Sequence, residues 1–204
     1  MNEPSPIVFV VDDDPSVRKA AARLFRSAGF QVETFETAQD FLAYPRPDLP
    51  SCLVLDVRMP GLSGVELQEH LAADDASLPI VFLTGHGDIP MTVKAMKAGA
   101  VDFLPKPVSD EQLREAVEGA VRTDAEQRRQ SAELVEFRKR VPSLTSRERE
   151  VMKLVIAGLL NKQIAQKLGI TESTVKVHRG RAMEKTGVTS VAELVRLCER
   201  TGFS

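Results

Sequence analysis

The chain has 204 residues, with 27 basic and 29 acidic side chains and 43% hydrophobic content, enough to bury a core in one or two domains. No apolar run approaches the roughly 18–20 residues of a membrane span, and the opening Met-Asn-Glu-Pro-Ser-Pro lacks the basic-then-apolar pattern expected of a signal peptide. The formal charge of −2 hides an asymmetry. Residues 1–121 hold 10 basic and 19 acidic side chains, residues 122–141 hold 6 and 4, and residues 142–204 hold 11 and 6. An acidic front and a basic back predict two modules with different partners, the second suited to a polyanion. Cys52 and Cys198 are far apart and each sits in an apolar stretch. They read as reduced core residues of a cytosolic protein with no membrane partner.

In the first 121 residues, short apolar runs alternate with helical patterns. The runs are Ile7–Val11, Val32–Phe35, Cys52–Leu55, Ile80–Leu83 and Asp102–Leu104. Several are apolar on consecutive positions, which marks strands buried on both faces of a parallel sheet. Asp14-Pro15 reads as cap and first-turn proline, Met91–Ala98 as a helix closed by Gly99, and Ser109-Asp-Glu-Gln112 as a capping box opening a helix near Asp110. Five such units predict an α/β, doubly wound, five-stranded parallel sheet whose ligands sit beyond the carboxyl ends of the strands.

Residues 122–141 are charged and free of glycine and proline, which predicts a helical connector with Leu134, Phe137 and Val141 on one stripe. Residues 142–204 then carry only helix signals. Capping boxes at Thr145–Glu148 and Ser190–Glu193 open two helices, and Lys162–Leu168 ends at Gly169. Thr171 caps a helix from Glu172 to Lys185 that Gly187 closes. Four short helices in this length form a compact bundle, and the pair around Gly169 has the form of a helix-turn-helix.

The chemistry concentrates at the predicted strand ends. The first ends in Asp12-Asp13-Asp14, the third in Asp56 and the fourth in Thr84, and Lys106-Pro107 follows the fifth. Clustered carboxylates repel and call for a cation, and hard oxygens with open positions suit Mg²⁺. A carboxylate beside Mg²⁺ can attack phosphorus, with Lys106 and the Thr84 hydroxyl holding the remaining oxygens. His86 reads as an ordinary loop residue.

Together Val11-Asp12-Asp13, Leu55-Asp56-Val-Arg-Met-Pro60-Gly61, Thr84-Gly-His and Lys106-Pro107 resemble the receiver domain of two-component response regulators, a flavodoxin-like fold. The resemblance implies Asp56 as phosphoryl acceptor. Direct Mg²⁺ ligands would be Asp13, Asp56 and the Arg58 main-chain carbonyl, with Asp12 reaching the metal through water. It also implies Thr84 and Phe103 as the switch pair, and a cis Lys106–Pro107 bond. Phe103 stands where tyrosine is commoner, so this chain has no hydroxyl at that point of the switch.

On the predicted Glu172–Lys185 helix, Val175, Ala182 and Met183 fall on a core stripe. Ser173, Lys176, Val177, Gly180 and Arg181 face the other way. Lys176 and Arg181 can reach bases or phosphates, and Val177 can meet a thymine methyl, while Lys162, Thr171 and His178 are placed for backbone phosphates. The segments Leu144–Val151, Asn161-Lys-Gln-Ile-Ala and Thr174-Val-Lys-Val-His178 resemble the LuxR-type DNA-binding domain. Combined with the receiver motifs they are most similar to the FixJ-like branch. Gly180 departs from members with a polar or basic residue there.

The resemblance divides the chain into a receiver (1–121), a helical linker (122–141) and a helix-turn-helix domain (142–204). It implies a transcriptional regulator, not an enzyme. A histidine kinase would phosphorylate it, and it would bind double-stranded promoter DNA as a homodimer, its last helix pairing the DNA-binding domains. RNA polymerase is a further candidate partner. Two rivals stand beside it. An aspartyl-phosphate hydrolase of the haloacid-dehalogenase kind would need Asp-x-Asp, but position 58 is arginine and no substrate-cap insertion is visible. A phosphate-independent DNA-binding protein would use the receiver only to dimerise. Two routes of coupling also stay open: phosphorylation dimerises the receiver, or it uncovers a masked recognition helix.

Overall fold

The computed structural model describes residues 5–73, 78–85 and 89–203. The chain forms two compact units that divide between Arg128 and Arg129.

The first unit holds strands β1 (Ile7–Val11), β2 (Gln31–Phe35), β3 (Ser51–Asp56), β4 (Ile80–Thr84) and β5 (Asp102–Pro105), all parallel, in the order β2-β1-β3-β4-β5. Every residue of β1, β3 and β4 is buried, as their unbroken apolar runs require, while in the edge strand β2 only Val32 is fully buried. Helices α1 (Pro15–Ser27), α2 (Ala38–Ala43), α3 (Gly64–Ala73) and α4 (Ile89–Lys97) follow successive strands. Alternate strand residues feed two cores. Phe9, Leu53, Leu55 and Phe82 pack with Phe41, Leu67 and Ala95 of α2, α3 and α4. Val8, Val10, Val54 and Val81 pack with Phe25 of α1 and with Val117 and Ala120 of the last helix, α5 (Asp110–Arg140). Each buried Val, Leu or Phe among these contributes about 1.5–3 kcal/mol by leaving water.

Asp14 caps α1 by accepting from Ser16 N at 2.7 Å, with Pro15 in the first helical position. Ser109 opens α5 by accepting from Gln112 N at 3.3 Å.

Helix α5 is a single element of 31 residues. Its stretch after Val121 is not a plain solvated spacer. Asp124 is 1% exposed; its carboxylate accepts from Ser51 N at 2.8 Å and from Arg128 Nε at 2.7 Å. Arg128 also pairs with Asp48, so the helix is fastened to the foot of β3. From Arg129 onward the helix belongs to the second unit. Phe137 is buried among Leu144, Met152, Ile164 and Leu194, with Leu134 and Val141 packed beside it. Glu133 pairs with Arg196 at 3.1 Å.

A 3₁₀ turn, Val141–Ser143, leads into α6 (Ser146–Ile156), α7 (Asn161–Leu168), α8 (Glu172–Thr186) and α9 (Val191–Thr201). Thr145 and Glu148 form the expected capping box on α6, and Ser190 caps α9. Gly169, at φ 67°, makes the tight turn from α7 to α8, and Arg147 Nη2 donates to the Leu168 oxygen at 2.7 Å to hold it. Cys52 and Cys198 are free and buried, and burial pushes both thiols above their ordinary range.

Candidate functional site

The carboxyl ends of β1, β3, β4 and β5 bring the acidic constellation together. Asp12 follows β1 and is 1% exposed, Asp56 closes β3 at 7%, and Asp13 is exposed at the rim. One ligand oxygen from each lies within 4.8 Å of the others. Three hard oxygens with open positions around them fit a small divalent cation such as Mg²⁺.

Lys106, on the cis Lys106–Pro107 bond after β5, reaches into this cluster. Its Nζ donates to Asp12 Oδ2 at 2.7 Å and to Asp56 Oδ1 at 3.2 Å. Burial works against the ammonium, but the hydrogen bond and charge of Asp12, with Asp56 behind it, hold the amine above the ordinary lysine range. Burial pushes the Asp56 carboxyl up; Lys106 opposes this and the Asp12 charge adds to it. Two carboxylates and one ammonium leave a negative residue for a cation to neutralise.

Thr84, the last residue of β4, is 1% exposed and its carbonyl accepts from Lys106 N at 2.7 Å. In the sheet Asp56 pairs with Leu83 and Thr84 pairs with Pro105. Thr84 therefore stands one step beyond the position paired with Asp56. Phe103 is half-buried with its ring 5.8 Å from that of Phe82, packed on the core beneath the site. Arg58 is exposed in the loop after β3. Gly64 presses on the same strand end: a Cβ there would run into the Asp56 main-chain oxygen. His86 lies outside the described residues.

One arginine escaped the sequence reading. Arg18 lies four residues after Asp14, and its Nη1 donates to the main-chain oxygens of Asp12 at 2.6 Å and Asp13 at 3.0 Å. No motif marks it; only its position one helical turn behind the aspartates hints at its reach.

On α8, Val175 and Ala182 are buried and Met183 packs against the core. Ser173, Lys176, Val177, Gly180 and Arg181 are exposed, and Val177 is 49% exposed. Lys162, in the first turn of α7, is exposed too. The Thr171 hydroxyl accepts from Thr174 N at 3.2 Å and shares hydrogen bonds with the Ser173 and Thr174 hydroxyls, so capping already engages it. His178 is half-buried, with Nδ1 buried and unpartnered. Two contacts fix α8 that patterning did not reveal: Arg179 Nη1 donates to Asn161 Oδ1 at 3.3 Å, and Lys185 pairs with buried Glu148 at 2.7 Å.

Comparison with known proteins agrees with this division of labour. The response regulator receiver domain model matches residues 8–118, and that of bacterial regulatory proteins of the luxR family matches residues 142–198. Nodulation protein W of Bradyrhizobium diazoefficiens is 50% identical over 198 residues, covering 97% of this chain and 87% of that protein. Transcriptional regulatory protein FixJ of the same species is 45% identical over 197 residues, 96% of each. Among solved structures, the response regulator StyR is similar at 54% identity and a TM-score of 0.76, covering 97% of this chain and all of that one. Full-length FixJ from B. japonicum is similar at 42% identity and a TM-score of 0.57, covering 97% of this chain and 98% of that one.

Proposed function

Because the chain belongs to the response regulators that join a receiver domain to a LuxR-type DNA-binding domain, we propose that Asp56 is its phosphoryl acceptor and that phosphorylation governs its hold on promoter DNA. A carboxylate oxygen of Asp56 attacks phosphorus, and the kinase imidazole nitrogen leaves with the electron pair of the broken bond. Mg²⁺, held by Asp12, Asp13, Asp56 and the Arg58 carbonyl, would offset charge on the incoming oxygens. Lys106 moves from its two carboxylates toward the phosphoryl group, and the Thr84 hydroxyl turns to the same group, with Phe103 following into the space left. The observation that carries this reading is the bridge of Lys106 across Asp12 and Asp56 inside a trio of convergent carboxylates.

Residues 1–121 serve as receiver, 122–141 as linker and 142–204 as DNA-binding domain. Lys176, Val177 and Arg181 read the major groove, while Lys162, Thr171, Ser173 and His178 meet its backbone. The phosphorylated chain acts as a cytoplasmic homodimer that engages RNA polymerase. Among the described residues no helix is long and apolar enough to cross a membrane.

Acetyl phosphate with Mg²⁺ is expected to add one hydroxylamine-labile phosphoryl group and to raise the dimer fraction in sedimentation. Asp56→Asn should abolish both. Undiminished labelling of that variant would place the acceptor elsewhere, and labelled protein that stays monomeric yet binds DNA tightly would refute the dimer.

A further inference from the structure

The loop after β1 supplies two of the three convergent carboxylates, and such a loop needs something to set its direction. Asp12 N donates to the Phe35 oxygen at 3.3 Å, and Asp14 N donates to Asp12 Oδ1 at 2.9 Å. Those bonds steady Asp12. They hold the Asp13–Asp14 peptide by its amide alone and do not touch the Asp12–Asp13 peptide, whose rotation sets the direction in which the Asp13 side chain departs.

Arg18 removes that freedom. It sits one turn into α1, where a long side chain leans back toward the helix start. A single nitrogen, Nη1, donates to the carbonyl oxygens of both peptides, at 2.6 Å and 3.0 Å. The second nitrogen stands 3.4 Å from Glu36 Oε2, just beyond β2, and the arginine side chain is 16% exposed. The guanidinium is thus held from behind while its two protons fix two successive peptide planes. With both carbonyls turned to the arginine, the planes that carry the Asp12 and Asp13 side chains are set, and their carboxylates converge on Asp56. Charge-assisted bonds of this kind are shorter and stronger than neutral ones.

We propose that Arg18 is the positioning residue of the cation site: it touches neither ion nor phosphoryl group, and it sets the aim of two ligands through their main chain. The inference rests on the Mg²⁺ reading above. Hydrogen-bond partners behind metal ligands commonly change metal affinity by about 10–100-fold when removed, and this arginine stands behind two ligands at once.

The test uses the full chain, with Mg²⁺ affinity measured by titration calorimetry and, in metal-free protein, hydrogen exchange at the Asp14 amide. Arg18→Met is expected to weaken Mg²⁺ by about tenfold and to speed Asp14 exchange. Arg18→Lys, which keeps the charge but loses the brace on Glu36, is expected to fall between Met and wild type in both. A merely structural role would lower the unfolding temperature and leave Mg²⁺ affinity in place. Asp13→Ala separates the two readings. If it loses Mg²⁺ while both Arg18 variants bind within twofold of wild type, the positioning role is overturned. If Asp13→Ala itself binds Mg²⁺ unchanged, the cation reading fails and takes the role of Arg18 with it. Should methionine prevent folding, wild-type affinity in Arg18→Lys is sufficient to overturn the proposal.

Discussion

Replacing Glu148 by glutamine removes one charge from the second unit and little else. The carboxylate is 4% exposed and accepts from Lys185 Nζ at 2.7 Å and from Thr145 N at 2.9 Å. The Lys185 hydrogen bond, followed by those from Thr145, holds its pKa down to about 2 against an ordinary 4.5. At 1.36 kcal/mol per unit, that difference favours the charged form by roughly 3 kcal/mol. Lys185 is 36% exposed, so water screens the pair and about 2 kcal/mol is the better expectation. The folded pKa lies below the unfolded one. The contribution is therefore full above about pH 4.5 and is lost as pH falls toward 2. Glutamine still offers an oxygen to Thr145 N but none of the charge. Hydrogen exchange at the buried α6 amides of Val151, Met152 and Val155 reads the effect in the full chain. About 2 kcal/mol corresponds to exchange roughly 30-fold faster in Glu148→Gln at pH 6. The wild type should lose protection between pH 5 and 3, and the variant should lose less. Equal protection at pH 6, or parallel falls with acid, would refute the ion pair as a brace between α6 and α8.

Gly64→Ala drives a methyl into the Asp56 main-chain oxygen. It is expected to destabilise the first unit by about 1–3 kcal/mol and to slow labelling by acetyl phosphate; unaltered melting and labelling would show that α3 can shift freely. Lys176→Ala should cost about 1–3 kcal/mol at one preferred site if the ammonium reads a base, and should weaken all sequences evenly if it meets phosphate. Fluorescence anisotropy on matched and scrambled duplexes distinguishes these, and unchanged affinity on both removes Lys176 from the interface.

The strands were legible because residues 7–11, 52–55 and 80–83 are apolar on consecutive positions, and only burial on both faces permits that. Helix starts were legible where a hydroxyl or carboxylate caps locally, as at Asp14, Thr145, Thr171 and Ser190. The carboxylates, Thr84 and Lys106 could be placed because the end of a strand is a sequence position. Arg18 and Asp124 could not. Each looks like any helix charge: Asp124 meets an amide 73 residues away that only the fold brings near, and Arg18 meets main-chain oxygens five and six residues back whose direction no residue pattern records. Patterning treated residues 122–141 as one charged connector with an apolar stripe at Leu134, Phe137 and Val141. Packing instead gives the stretch through Arg128 to one core and Phe137 to another, because one buried ring decides more than the charges around it.

The bond between Asp124 and the Ser51 amide bears on how such chains can be recombined. Ser51 begins the strand that Asp56 ends, and its amide finds its acceptor in the helix beyond Val121. A graft that joins this front half to a foreign output at Val121 would strip a buried amide of its acceptor and leave Asp48 without its arginine. Cutting after Arg128 carries the acceptor and the arginine along. The seam for exchanging modules lies one to two helical turns downstream of where composition alone would put the scissors.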